Sequence, residues 1–175
     1  MIIRNMTAWF GALEGKTLSL SDGLNILYAP NESGKSTWCA FIRAMLYGLD
    51  TAARERNGQK PDKLKYQPWS GAPMSGSMDV EADGARVTLR RWTDRPDRPM
   101  QGFSAALTGT DAPVGDLTAA SAGETLTGMP AEVFDRSVFI RQAGLFLSNE
   151  PALDRRISDI CNCLRLLDTK TLQDI

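Results

Sequence analysis

Four consecutive residues, Gly34, Lys35, Ser36 and Thr37, carry the groups needed to hold a phosphate chain. A lysine there supplies a mobile positive charge for the outer phosphates, and the serine hydroxyl beside it can ligate a magnesium ion. With Ala29, Pro30, Asn31, Glu32 and Ser33 ahead of them, these residues fill seven of the eight positions of the pattern G-x-x-x-x-G-K-[ST]. The departure is Ala29, which stands where the first glycine belongs. In such a loop, successive backbone N–H groups and the start of the following helix form a concave donor site for anionic oxygens. Gly34 lets the backbone approach a ligand with no Cβ in the way. Ala disfavours positive φ, so Ala29 fits this scheme if it closes a strand in an extended conformation. The expected contacts to a bound phosphate chain are therefore Asn31, Glu32, Ser33, Gly34, Lys35, Ser36 and Thr37, with Ser36 also a metal ligand.

Such a loop works only between a strand and a helix, and the sequence offers both. Leu24-Asn25-Ile26-Leu27-Tyr28 follows the turn-forming Ser21-Asp22-Gly23 and reads as a short apolar strand. Downstream, Trp38, Phe41, Ile42, Met45, Leu46 and Leu49 recur on one face of an amphipathic helix. Cys39 falls within that helix and is expected to be a small buried apolar residue. About two dozen residues precede the loop, room for strands at 2–10 and 16–20.

Composition narrows the chemistry. At 175 residues and 42% hydrophobic, the chain can bury the core of one ordinary domain. A formal net charge of -1 sets up no global positive field for nucleic acid. The first residues lack the basic and apolar pattern of a secretory signal, and no run approaches the roughly 20 apolar residues of a membrane span. The expectation is a soluble cytoplasmic protein with no membrane partner. Its three cysteines, Cys39, Cys161 and Cys163, suggest neither a disulfide framework nor a zinc site. The chain has no histidine. Mechanisms resting on an imidazole base or ligand are thereby excluded from these residues.

The middle of the chain changes character. Residues 54–69 form a polar, basic segment ending in Tyr66 and Trp69, whose rings either stack on a base or cover the edge of the core. Residues 77–92 then read as a hairpin about Asp83-Gly84. That turn pairs Ala82 with Ala85, Val80 with Val87 and Met78 with Leu89 on one face, and Glu81 with Arg86 on the other. Residues 103–117 read as a further short hairpin rich in turn formers. Pro130 suits the first turn of a helix over 130–137, leading into an apolar strand at 138–140 with Gln142 just beyond it. Past Pro151, Leu153, Ile157, Ile160, Leu164 and Leu167 keep a heptad spacing, which fits a single amphipathic helix or the root of a coiled coil.

Residues 23–49 resemble the N-terminal segment of the AAA-type ATPases of the SMC/RecF/SbcC group, in particular its bacterial YhaN-like branch, whose loop reads Gly-Pro-Asn-Glu-Ala-Gly-Lys-Ser-Thr. Residues 9–13 (WFGAL), 65–71 (KYQPWSG) and 138–145 (VFIRQAGL) resemble further blocks of that group in the same order. The resemblance implies an α/β fold, the N-terminal lobe of an ABC-type P-loop NTPase. That lobe has a mixed sheet plus an antiparallel β-subdomain at about 76–117, within an ATP-binding domain at 1–150, followed by a helix at 151–175. It implies ATP and Mg2+ as cofactors, and Gln142 as the glutamine that contacts the metal and helps place the attacking water. In the group, an apolar strand ending in Asp-Glu and a Ser-Gly-Gly signature complete catalysis from far downstream. Neither is found here: Leu164–Asp168 is followed by Thr169, and the stretch 147–150 lacks the glycines. The expected partners are a C-terminal half of the same head, a second head forming a homodimer, and DNA for the assembled machine. Two other readings stay open, a self-sufficient small P-loop kinase or NTPase and a non-catalytic module gated by nucleotide.

Overall fold

Period-two alternation governs the strands of the computed structural model, which describes residues 1–138. Strand β1 (Ile2–Phe10) buries Met6, Ala8 and Phe10 and turns Thr7 and Trp9 to the other face. It returns through Gly11 and Ala12 into β2 (Leu13–Ser19), which starts three residues ahead of the expected 16–20 because so short a turn suffices. Strands β3 (Ser75–Ala82) and β4 (Ala85–Trp92) form the hairpin in the expected register. Ala82 lies opposite Ala85, Val80 opposite Val87, Met78 opposite Leu89 and Glu81 opposite Arg86. Asp83 and Gly84 take φ of 51° and 76°, the left-handed pair that matches strand twist in a two-residue turn. Strand β5 (Gly102–Leu107) adds to β4, and the return beyond it is a single bridge between Ala106 and Pro113 rather than a full second strand.

The strand order is β2-β1-β3-β4-β5, and every neighbouring pair is antiparallel. The molecule is thus α/β with a five-stranded antiparallel sheet that joins the first two strands to the hairpin. The mixed sheet expected around the phosphate loop does not form among the described residues. Its proposed strand at 24–28 has no strand pairing among the described residues.

Helix α1 (Lys35–Tyr47) crosses the apolar face of this sheet and buries Trp38, Ala40, Phe41, Ala44, Met45 and Leu46. Phe41 sits edge-on to Phe10 and Trp38, with ring centroids 5.7 and 5.9 Å away. The helix comes so close to β3 that a Cβ on Gly76 would lie 2.4 Å from the Phe41 ring, so glycine is required there by contact. Cys39 lies off this stripe and is exposed, against expectation. In the polar segment, α2 (Asp62–Lys65) is a single turn, and Tyr66 after it stacks on Phe10 at 4.8 Å. Tyr66 therefore covers the edge of the core, whereas Trp69 is 81% exposed. Helix α3 (Ala122–Thr127) packs on α1, where the Tyr47 hydroxyl meets Thr127 Oγ1 at 2.8 Å.

Residues 1–128 make up one compact unit and residues from 129 onward another. In the second, Pro130 is the N-cap of α4 (Ala131–Ser137), and Val138, expected to open a strand, instead closes this helix by donating to the Phe134 carbonyl at 3.1 Å. Gln142 and the helix expected at 151–175 lie outside the described residues. Among those residues no helix is long and apolar enough to cross a membrane.

Candidate functional site

The loop 29–36 connects the extended segment to α1, and the local rules of the chain bend there. Ala29 does not take a positive φ, so its backbone conformation does not call for glycine. The left-handed residues are Glu32, at φ 65°, and Gly34, at φ 95°. A left-handed glutamate is uncommon, and such backbone costs on the order of 1–3 kcal/mol unless its surroundings hold it. Gly34 has a second reason to be glycine, since a Cβ on it would lie 2.9 Å from Leu13 Cδ2 in β2. The sheet edge thereby seats the loop at the head of the helix.

Helix α1 begins with its donors free for an anion. Gly34 caps it with no side-chain hydrogen bond, and its first turn holds no acidic residue. The positive end of the helix dipole and its unpaired N–H groups are thus left to a ligand. Lys35 Nζ donates to the carbonyls of Ala29 and Pro30, both at 2.5 Å, folding the ammonium back across its own loop. Ser33 Oγ is buried with no hydrogen-bond partner among the described residues. Asn31, Glu32 and Ser36 are exposed, and Ser33, Lys35 and Thr37 are half-buried. A ring of backbone donors, a lysine held only by carbonyls and an unsatisfied hydroxyl suit a phosphate chain. For magnesium the described residues offer the Ser36 hydroxyl and no cluster of three acidic side chains, a set that suits a metal held largely by phosphate oxygens and water.

The segment feeding the loop is its most unusual neighbour. Leu24, Ile26 and Tyr28 are 85%, 81% and 95% exposed, and Leu27 is 44% exposed. Among the described residues the strand expected here has no pairing partner, and its start is held where Asn25 Nδ2 donates to the carbonyls of Ser21 and Gly23 at 2.9 and 3.2 Å.

At the other end of α1 lies Arg91, a residue the sequence reading passed over. It sits in β4 at 2% exposure and donates to Met45 and Leu46 carbonyls at 2.9 and 3.4 Å. It also donates to Met100 at 3.3 Å and Ala119 at 2.7 Å, and lies 4.8 Å from the Phe103 ring centroid. Burial pushes its pKa down to about 10, so the guanidinium remains charged at neutral pH. The signal was available in the alternation, because Arg91 shares a face with Val87 and Leu89.

Of the expected contacts, the structure gathers residues 31–37 in one loop and leaves Gln142 outside the described residues. No curated protein matches the chain. A family model described as an AAA domain matches residues 1–91, just over half of the 175 residues. That span holds the whole phosphate loop, all of α1 and the sheet as far as Arg91, and by it the chain belongs to the AAA-domain family of ATP-binding, ATPase-type proteins.

Proposed function

We propose that this chain is the ATP-binding half of an SMC/RecF/SbcC-like ATPase head, which hydrolyses ATP only when a C-terminal lobe and a second head complete it. The observation that carries the reading is the exposed alternation of Leu24, Ile26 and Tyr28 directly before the loop. Apolar side chains standing in water ask for a cover, and burying Leu24 or Ile26 would contribute about 1.5–3 kcal/mol each. Whatever covers this strip sits beside the phosphate loop, where a lobe supplying the water-activating acid has to be.

Within this reading, the first-turn N–H groups of α1 orient the phosphate chain. Lys35 exchanges its two carbonyl acceptors for phosphate oxygens, so the ligand competes with an internal pair of hydrogen bonds rather than with water alone. Magnesium, held by Ser36 and by Gln142 from farther along the chain, would neutralise charge on the outer phosphates. Nucleotide held between two such heads would drive their association, with DNA maintenance the setting that the resemblance suggests.

The test is ATP binding and steady-state hydrolysis by the chain with magnesium, alongside Lys35→Ala. Binding without turnover is expected, and the mutant should lose about 1.5–3 kcal/mol of affinity with its fold kept. Turnover that disappears in Lys35→Ala would place the catalytic acid within these residues and overturn the half-head. Equal ATP affinity in the two proteins would overturn the loop assignment.

A further inference from the structure

Helix α1 carries the phosphate loop at its first residue and a buried cation at its last turn. We infer that Arg91 is a positioning residue for the nucleotide site, setting where α1, and with it the loop, lies on the sheet. This rests on the ATP-binding reading of the loop.

The geometry is that of a clamp. One guanidinium joins three separate backbone segments: the Met45 and Leu46 carbonyls of α1, Met100 before β5, and Ala119 before α3. No carboxylate pairs with it among the described residues. Its counter-charge is the negative end of the α1 dipole, so the strength of the clamp depends on the helix end being in place. A neutral side chain would leave three buried carbonyls, and the half-buried one of Ala119, short of a donor. A lysine could reach one or two of them but lacks the planar fork that spans all three segments. The ring of Tyr47 and its bond to Thr127 add a second hold at the same end.

The opposite end of the helix is held by packing, with Trp38 and Phe41 buried against the sheet, and has no comparable polar clamp among the described residues. Gly34 rests on Leu13, and the loop behind it is fed by the unpaired segment 24–28. A helix is stiff, so with Phe41 packed on the sheet as a pivot, a hold on its last turn sets the direction of its first. Helix α1 is thus aimed from its far end, and Arg91 does the aiming.

Amide hydrogen exchange and binding of a fluorescent ATP analogue with magnesium, on Arg91→Lys and Arg91→Met, test this. Arg90→Met serves as control, because Arg90 points to the opposite face and pairs with Asp111 there. In Arg91→Lys, exchange should quicken at residues 38–41, the first hydrogen-bonded amides of α1, while amides of the β3–β4 hairpin hold. Nucleotide affinity should fall about three- to tenfold with no change in Arg90→Met. Faster exchange confined to residues 44–48 and 117–121, with unchanged affinity, would reduce Arg91 to local structure and overturn the inference. If Arg91→Met does not fold, the lysine variant carries the test. If the unmutated chain binds no nucleotide, the function proposed above fails, and exchange at residues 38–41 still decides the role of Arg91.

Discussion

The β3–β4 hairpin and the segment 24–36 obey opposite logics within one unit of the molecule. In the hairpin, each residue agrees with its neighbours: Met78, Val80 and Leu89 are fully buried, Glu81 faces Arg86, and the turn residues adopt the backbone the turn needs. In the segment, apolar side chains stand in solvent, a glutamate is left-handed, a buried hydroxyl has no partner and a lysine folds back on carbonyls. The hairpin has a partner for every edge and face that needs one: β1 and β5 on its two sides and α1 on its apolar face. The segment is held at Asn25, through residues 21 and 23, and at Gly34, where α1 begins against Leu13, and the interactions it forgoes are the ones a phosphate chain and a covering partner would supply. Local dissatisfaction of this kind concentrates where a protein expects a ligand or partner.

The sharpest way to break the comparison is a matched pair of truncations. Phe41→Ala removes a ring at the junction of α1, β1 and β3 and should cost about 3–5 kcal/mol of stability, read by denaturant unfolding. Ile26→Ser should cost under about 0.5 kcal/mol, because little of that side chain is withdrawn from water. A loss above about 1 kcal/mol at Ile26 would mean that the strip is already covered, by self-association or otherwise. Sedimentation across a concentration series would then show which.

Ser33→Ala sharpens the contrast from the other side. Removing a buried hydroxyl that has no partner should raise stability by about 1 kcal/mol. A fall of similar size would show that the hydroxyl is bonded in solution, and the loop would then be as well satisfied as the hairpin.

Legibility in the sequence followed the same divide. The hairpin could be paired residue by residue from Asp83-Gly84 outward, because turn type and period two are local facts. The phosphate loop was legible for the same reason, its chemistry lying in a few adjacent residues. The strand at 24–28 was not, since a strand is defined by its neighbours and alternation alone cannot say whether they are present. Arg91 was obscured by its charge, although its position put it on the buried face. The carbonyls that hold it come from residues 45, 46, 100 and 119, a convergence that no local pattern announces. Cys39 was misjudged by residue type, where its angle around α1 decided the matter.

The smallest expected effect lies at the sheet edge that supports both regions. Glu14, in β2, accepts a hydrogen bond from the Ser70 amide at 2.7 Å, tying the chain after Trp69 to the strand that also seats Gly34 through Leu13. That bond favours the carboxylate and holds the Glu14 pKa below its ordinary value. The unfolded chain therefore binds the proton more readily than the folded one as pH falls. Any stability from this contact is fully present above the ordinary glutamate pKa, about 4.3, and is lost as pH drops through the lower folded value. The Ser70 amide resonance should titrate with a midpoint below that of an exposed glutamate, and Glu14→Gln should abolish the titration while leaving an oxygen to accept the bond. A midpoint at the ordinary value would mean that the tether is open in solution, so that β2 supports the loop through Leu13 alone.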